Sequence, residues 1–483
     1  MGVVRQAVMR AVLHALAIAL SLATGIIVAR RLSPVHYAAY QMVVKRTSMF
    51  AGVLCATMGF WAYRYVAMGL RGALREYLRV VALNSAIALF VALGLGVYMK
   101  LGDPRLLALA CIAGALTVAF GGMNRVIVAA RAVYSELIVA VRRCIYAALI
   151  VALTYFAALG VLGAFTAVVL SLVVGIAMQL HSIRHVLAER SERSYLREWA
   201  KSIHIPLLMW LATFVASMDA LIVAYLGGSY AAAEFFVSVA LLSMVMEVAT
   251  VASMHIAAYT LRTMDVAGGV RVSCLATLIA SAICGYAMAR PAPLIALMNP
   301  LYVSASSALR MYALGLAIRI ALAPVWSSIV GSVRDLAASP SRRLLTISAA
   351  SIATSLLYAG LIPAIALLGR VSPVIAWSLS YIAYAVAGMG AAYVVGGPAL
   401  RRLVTRKVVP RLALFMSIAY VAAQILAPHG FTKTFFSDAL LVLEGLAVTG
   451  AIYAPTVLAI DGEMRRLVLE FIKSIRRSPL SWV

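Results

Sequence analysis

Three features of the sequence predict an all-α protein that crosses a membrane many times. Of its 483 residues, 64% are hydrophobic and 12% charged, against roughly 25% charged and 45–50% apolar in soluble domains. Apolar stretches of about 20 residues, the length that spans a bilayer core about 30 Å thick, recur from end to end. The formal charge of +25 is carried mainly in short breaks between those stretches, the pattern that the positive-inside rule produces. No basic groove interleaved with aromatics points to nucleic acid.

The spans fall near residues 7–29, 37–62, 80–99, 106–127, 137–158 and 161–180, then 204–226, 233–258, 270–289, 311–331, 344–368, 372–395, 412–428 and 438–460, about fourteen in all. Arg5 and Arg10 followed by an apolar run resemble a secretory signal, but no small-residue cleavage site follows and many further spans do, so the segment reads as a retained first helix. The second span holds Lys45 and Arg46 side by side. On a helix Gln41, Lys45, Ser48 and Gly52 share one stripe, while Arg46 lies about 100° away beside Met42, Met49 and Phe50.

Each cation costs about 2.5–3.5 kcal/mol at the centre of a span on insertion scales. Three roles would justify that cost. Lys45, roughly 16 Å inward of Pro34, snorkels outward or pairs with Glu234. Alternatively, the doublet lines a solvated cavity that attracts a phosphate or pyrophosphate, or it forms ion-pair locks between two lobes. Arg30 and Arg31 stand at the outer end of the first span, against the positive-inside tendency. Their planar guanidinium groups suit bidentate phosphate binding or, more plainly, interfacial anchoring.

The polar segment 181–204 mixes Arg184, Arg190, Arg193, Arg197 and Lys201 with Ile183, Leu187, Leu196, Trp199 and Ile203, a composition suited to a helix lying on the inner membrane surface. It divides the chain into a six-helix lobe (1–180), an amphipathic linker (181–203), a second six-helix lobe (204–400), and two additional spans with a basic tail (401–483). The segments "IIVARRLSPVHYAAY" (26–40) and "LIVAYLGGSYAAAE" (221–234) align with one gap, setting Leu32 on Leu226 and Pro34 on Gly228. Paired with the six-plus-six count, this favours two pseudo-symmetric bundles.

Acidic groups enter in the second half. Asp219 stands near Thr213 and Ser217; Glu247 shares a stripe with Ser243 and Thr250, and Glu234 lies near the outer end of that span. Such carboxylates bind sodium, exchange protons, or neutralise the cations. Arg319 and Pro324 suggest a kink beside a polar spot, and His255 and Glu444 read as helix contacts. Cys55, Cys111, Cys144, Cys274 and Cys284 form no CxxC pair, and no metal spacing, Walker loop or nucleophile with an adjacent base emerges. Neither an enzyme nor a cofactor is expected.

The cations also orient the chain. With the N-terminus inside, only Arg30, Arg31, Lys100, Arg105, Arg290, Arg310, Arg370 and Lys433 of the 41 fall outside, and Lys45, Arg46 and Arg319 lie within spans. Both termini are therefore expected in the cytoplasm, in a multi-pass protein of the cell membrane.

Two motifs carry a family resemblance. "VARRLSPVHYAAYQMV" resembles the opening signature of polysaccharide and lipid-linked oligosaccharide flippases of the multidrug/oligosaccharidyl-lipid/polysaccharide (MOP) exporter superfamily, through Ala29, Arg30, Leu32, Pro34, Tyr37 and Tyr40. Ser33 and Ala38 replace the family's glycines, which implies a retained turn with less close packing at its tip. "MNPLYVSASSALRMYALG" (298–315) is similar to the family's segment between its ninth and tenth helices, through Pro300, Tyr302, Leu309, Arg310, Leu314 and Gly315.

The resemblance implies a flippase that carries a polyprenyl phosphate- or pyrophosphate-linked oligosaccharide, or a polysaccharide repeat unit, across the membrane by alternating access. A lipid-linked sugar, membrane lipid and a coupling Na+ or H+ would be its partners, and the protein would be a monomer. In the superfamily's lipid II flippases, arginines on helices 1, 2 and 8 hold the pyrophosphate. Arg30 and Arg31, then Lys45 and Arg46, would fill the first two positions; the eighth span instead carries Glu247. The rivals are a proton- or sodium-coupled multidrug extruder, which cationic Lys45 and Arg46 disfavour, and an integral-membrane glycosyltransferase or polymerase, which needs larger outer loops.

Overall fold

The computed structural model describes residues 2–67, 72–130, 132–187, 194–263, 266–333 and 342–476. The chain forms α1 (Gly2–Arg31), α2 (Pro34–Gln41), α3 (Thr47–Ala51), α4 (Val53–Ala67), α5 (Ala73–Tyr98), α6 (Pro104–Ala130), α7 (Ala132–Ile150), α8 (Gly160–Leu187), α9 (Tyr195–Lys201) and α10 (His204–Ser217). It continues with α11 (Asp219–Thr263), α12 (Val266–Ala289), α13 (Pro291–Met298), α14 (Ser306–Gly331), α15 (Arg342–Leu368), α16 (Pro373–Val395), α17 (Gly397–Leu403), α18 (Val409–Leu426), α19 (Phe435–Ile460) and α20 (Gly462–Arg476). This is the all-helical, multi-pass architecture expected.

The expected count of about fourteen spans is not confirmed. Among the described residues, eleven helical stretches are long and apolar enough to cross a membrane. The first helix is not among them, nor is the run from α2 to α4, which a π-turn at Met42–Arg46 and a break at Gly52 divide. One of the eleven, His204–Leu242, merges the expected seventh span with the start of the eighth. Gly228, at φ 70° and ψ −169°, breaks α11 in a conformation that side chains rarely adopt.

The helices form two compact units. The first comprises residues 9–236 and 335–353, the second residues 1–8, 237–334 and 354–483. In the first, the opening motif builds its own helix start. The Ser33 hydroxyl accepts from the His36 amide at 3.4 Å and Pro34 follows in the first turn. Serine therefore serves where the family has glycine, with an ordinary φ of −62°. Ala38 at the second glycine position is wholly buried, as are Tyr37 and Ala39, so the extra methyl is accommodated in close packing.

The polar segment 181–204 is helical at both ends among the described residues. Its first residues extend α8, and α9 packs into the first unit, with Trp199 and Tyr195 buried in the cluster of Trp61, Tyr65 and Tyr77. The Leu196 amide donates to Glu76 at 2.9 Å, the Trp61 indole to the Ser202 carbonyl at 3.3 Å, and the Tyr65 hydroxyl to Glu198. The aromatics of this segment had a core to enter, which a composition shared with surface helices does not reveal.

In the second unit α12 packs against α14 and α18, and α14 against α16. A Cβ on Gly315 would stand 2.8 Å from the Tyr381 ring and 3.2 Å from the Ile382 backbone, so the glycine of the second motif lets α14 and α16 touch. Asn299 caps the short 3-10 turn Pro300–Ala305, its side chain accepting from the Leu301 amide at 3.0 Å. The helix α14 runs unbroken through Pro324, whose carbonyl takes the Ser328 hydroxyl at 2.9 Å.

Candidate functional site

Lys45 and Arg46 end a π-turn, an element that recurs at functional sites because it widens the helix and re-aims side chains. The turn also shifts the register on which a uniform α-helical stripe depends. Gln41 is buried while Lys45 is exposed, so the two do not share one environment. The Thr47 hydroxyl donates to the Val43 carbonyl at 2.6 Å, taking one acceptor in the widened turn.

Arg46 meets an acid. Its Nη2 lies 2.8 Å from Asp219 Oδ1, with both side chains largely sequestered at 15% and 11% exposure. Asp219 also accepts from the Ala220 amide at 2.7 Å. The Arg46 guanidinium stands 5.5 Å from the Phe235 ring. Asp219 and Phe235 would lie about 24 Å apart along a straight helix, beyond what one arginine can contact together. Gly228 therefore reverses the chain, and the two segments of α11 flank Arg46. Glu234, next to Phe235, is buried in the same unit.

The Arg46 Nε is buried with no hydrogen-bond partner, so the ion pair leaves donor capacity unspent. Arg30 is half-buried at the end of α1, and the exposed Arg31 stacks 4.2 Å from the Tyr155 ring. The eleven residues from Pro34 to Lys45 separate these pairs by roughly 16 Å. The two cationic groups thus form separate levels, and the Arg31 contact fits an interfacial anchor.

Sequence reading missed a second doublet. Arg142 and Arg143 lie within α7 and inside the span Tyr134–Phe156, although they were assigned to the inner loops. The guanidinium of Arg142 stands 4.8 Å from the Phe120 ring, and its stem passes Gly175, where a Cβ would be 3.0 Å from Cδ. Arg143 acts electrostatically on Tyr40 and Tyr146, whose hydroxyls are 2.5 Å apart, and its Nε is buried without an acceptor. The signal was available: adjacent arginines five residues inside the predicted span 137–158 satisfy the criterion that singled out Lys45 and Arg46.

The other expected residues are dispersed. Arg319 belongs to the second unit, on α14, among tyrosines. The side chains of Glu247, Ser243, Thr250 and His255 lie outside the described residues, and Glu444 is exposed on α19. Among the described residues no cluster of metal-ligating side chains occurs.

No protein-family model and no curated protein matches the chain. Solved structures do match. It resembles the lipid II flippase MurJ in an inward closed conformation, with TM-score 0.63 and 12% identity, over 94% of this chain and 99% of that one. It resembles the eukaryotic MATE transporter AtDTX14, with TM-score 0.60 and 14% identity, over 85% and 100%. A multidrug resistance MATE family transporter of the MOP superfamily in an outward-facing conformation matches with TM-score 0.56 and 15% identity, over 83% and 96%. At these identities the likeness is one of fold: the chain has the all-helical, polytopic fold that these solved transporters share.

Proposed function

We propose that this protein is a flippase for a lipid-linked sugar, translocating a polyprenyl phosphate or pyrophosphate carrier across the cell membrane by alternating access, with both termini cytoplasmic. The observation that carries this reading is unspent cationic donor capacity at span level in the first unit. Arg46 and Arg143 each keep a buried Nε–H without an acceptor, and a guanidinium edge binds phosphate oxygens bidentately. Lys45 adds charge beside Arg46. Asp219 balances Arg46 in the absence of cargo and yields it when an anionic headgroup arrives; charge balance, not ion coupling, is its role.

A second reading, multidrug extrusion, draws on the buried Glu234 and Asp219 and on the likeness to MATE transporters. The two separate experimentally. Replacing Lys45 and Arg46 with Gln and Asp219 with Asn removes both cations together with the acid that pairs with Arg46. In proteoliposomes this variant should lose translocation of a fluorescent polyprenyl pyrophosphate by at least about tenfold, at unchanged protein abundance. Undiminished flux would remove the phosphate role.

A further inference from the structure

Arg319 lies about 20 Å along α14 from Ser306, near the middle of the span. Its guanidinium carbon is 4.4 Å from the Tyr384 ring and 5.5 Å from the Tyr381 ring, and its other titratable neighbours are Tyr358 and Tyr312. The rings are fixed among themselves. The Trp377 indole donates to the Tyr358 hydroxyl at 2.7 Å, Tyr358 stacks on Tyr384 at 4.8 Å, and Tyr312 lies 4.8 Å from both Trp377 and Tyr381. Tyr312, Tyr358, Trp377 and Tyr381 are buried, whereas Arg319 and Tyr384 are half-buried, so the cation is walled on one side and open on another.

Contact with ring faces engages the charge of a guanidinium and gives its five N–H donors no lone-pair acceptor. Among the described residues no carboxylate or carbonyl receives those donors. A cation in a membrane span, held rigid by aromatics and with its donor edge unspent, is prepared for an oxyanion at that edge. We propose that Arg319 and Tyr384 form an oxyanion site in the second unit that takes the phosphate group of an amphiphile, whose apolar portion lies against the aromatic rings. The choice of phosphate among oxyanions rests on the function proposed above; the site itself rests on Arg319 and its rings.

The test uses the full chain in detergent and the rate at which phenylglyoxal modifies Arg319, read by peptide mass spectrometry. Geranylgeranyl pyrophosphate should slow modification at Arg319 at least about tenfold, and geranylgeraniol should not. Equal protection by inorganic pyrophosphate identifies the phosphate group alone as the ligand, and protection only by the prenyl compound identifies a lipid-linked one; either result supports the proposal. Absence of protection by both, equal protection by geranylgeraniol, or an Arg319 that phenylglyoxal never reaches would overturn it. Binding of geranylgeranyl pyrophosphate, measured by calorimetry, should lose a component in Arg319→Gln that Arg319→Lys partly restores. The Lys45→Gln, Arg46→Gln, Asp219→Asn variant should keep Arg319 protected. Loss of flux with protection retained upholds both proposals; flux dependent on Lys45 and Arg46 with Arg319 unprotected overturns only this one.

Discussion

Asp219 and Arg46 form an ion pair with both side chains largely sequestered. Removing one partner of a sequestered ion pair leaves an uncompensated charge, which costs about 3 kcal/mol, whereas removing both relieves the conflict. Asp219→Asn should therefore lower thermal stability in detergent clearly, and adding Arg46→Gln should recover most of the loss. Equal melting temperatures for the wild type and Asp219→Asn would show the pair to be energetically idle. The cost of isolated charge in lipid made Lys45, Arg46 and Asp219 legible as candidates from sequence. Their pairing was not legible, because 173 residues separate Arg46 from Asp219 and the π-turn alters the register on which the helical stripe relied. Arg142 and Arg143 show the converse, legible by the same criterion yet overlooked when assigned to a loop.

At the level of elements, Gly228 turns α11 back so that Asp219 and Phe235 flank one guanidinium. Its backbone lies where a Cβ is strained although space is open around it. Gly228→Ala should cost about 1–3 kcal/mol, seen as a lower unfolding temperature; an unchanged one would show the backbone to relax freely. Pro34 and Gly228, aligned in the sequence, stand respectively at a helix start and at a break within α11. The fate of α9 was hidden, since Trp199 and Tyr195 suit a membrane surface and a protein core alike. Beyond α19, the chain turns into α20 through a charge cluster: Arg411 binds Asp461 at 2.5 Å and Glu463 at 2.9 Å, and Lys407 binds Glu463 at 2.6 Å.

Burial alone would raise the Asp461 carboxyl, but hydrogen bonds from Arg411 and the Met464 amide outweigh it and hold the group below its ordinary range. Lys407 and Arg411 hold Glu463 below its own. Groups depressed on folding stabilise fully above the unfolded carboxylate range, about 3.9–4.3, and lose that contribution as pH falls through the lowered values. The protection of α20 amides, taken relative to their intrinsic exchange at each pH, should thus hold at pH 5 and fall only below about pH 4. Protection that does not change down to pH 2 would show that the cluster does not hold the helix.

For the whole molecule, composition alone determined the class: 64% hydrophobic residues with 12% charged admits little except a chain built of spans, and the fold shared with solved transporters agrees with it. The proposed cargo rests on the sign of charge offered in the first unit, where Arg46 and Arg143 retain donors. Translocation measured in proteoliposomes, with one prenyl tail bearing either a pyrophosphate or a neutral hydroxyl headgroup and with an organic cation as a third cargo, tests this most directly. The account predicts transport of the pyrophosphate and neither of the others; efflux of the organic cation with no movement of the pyrophosphate would contradict it.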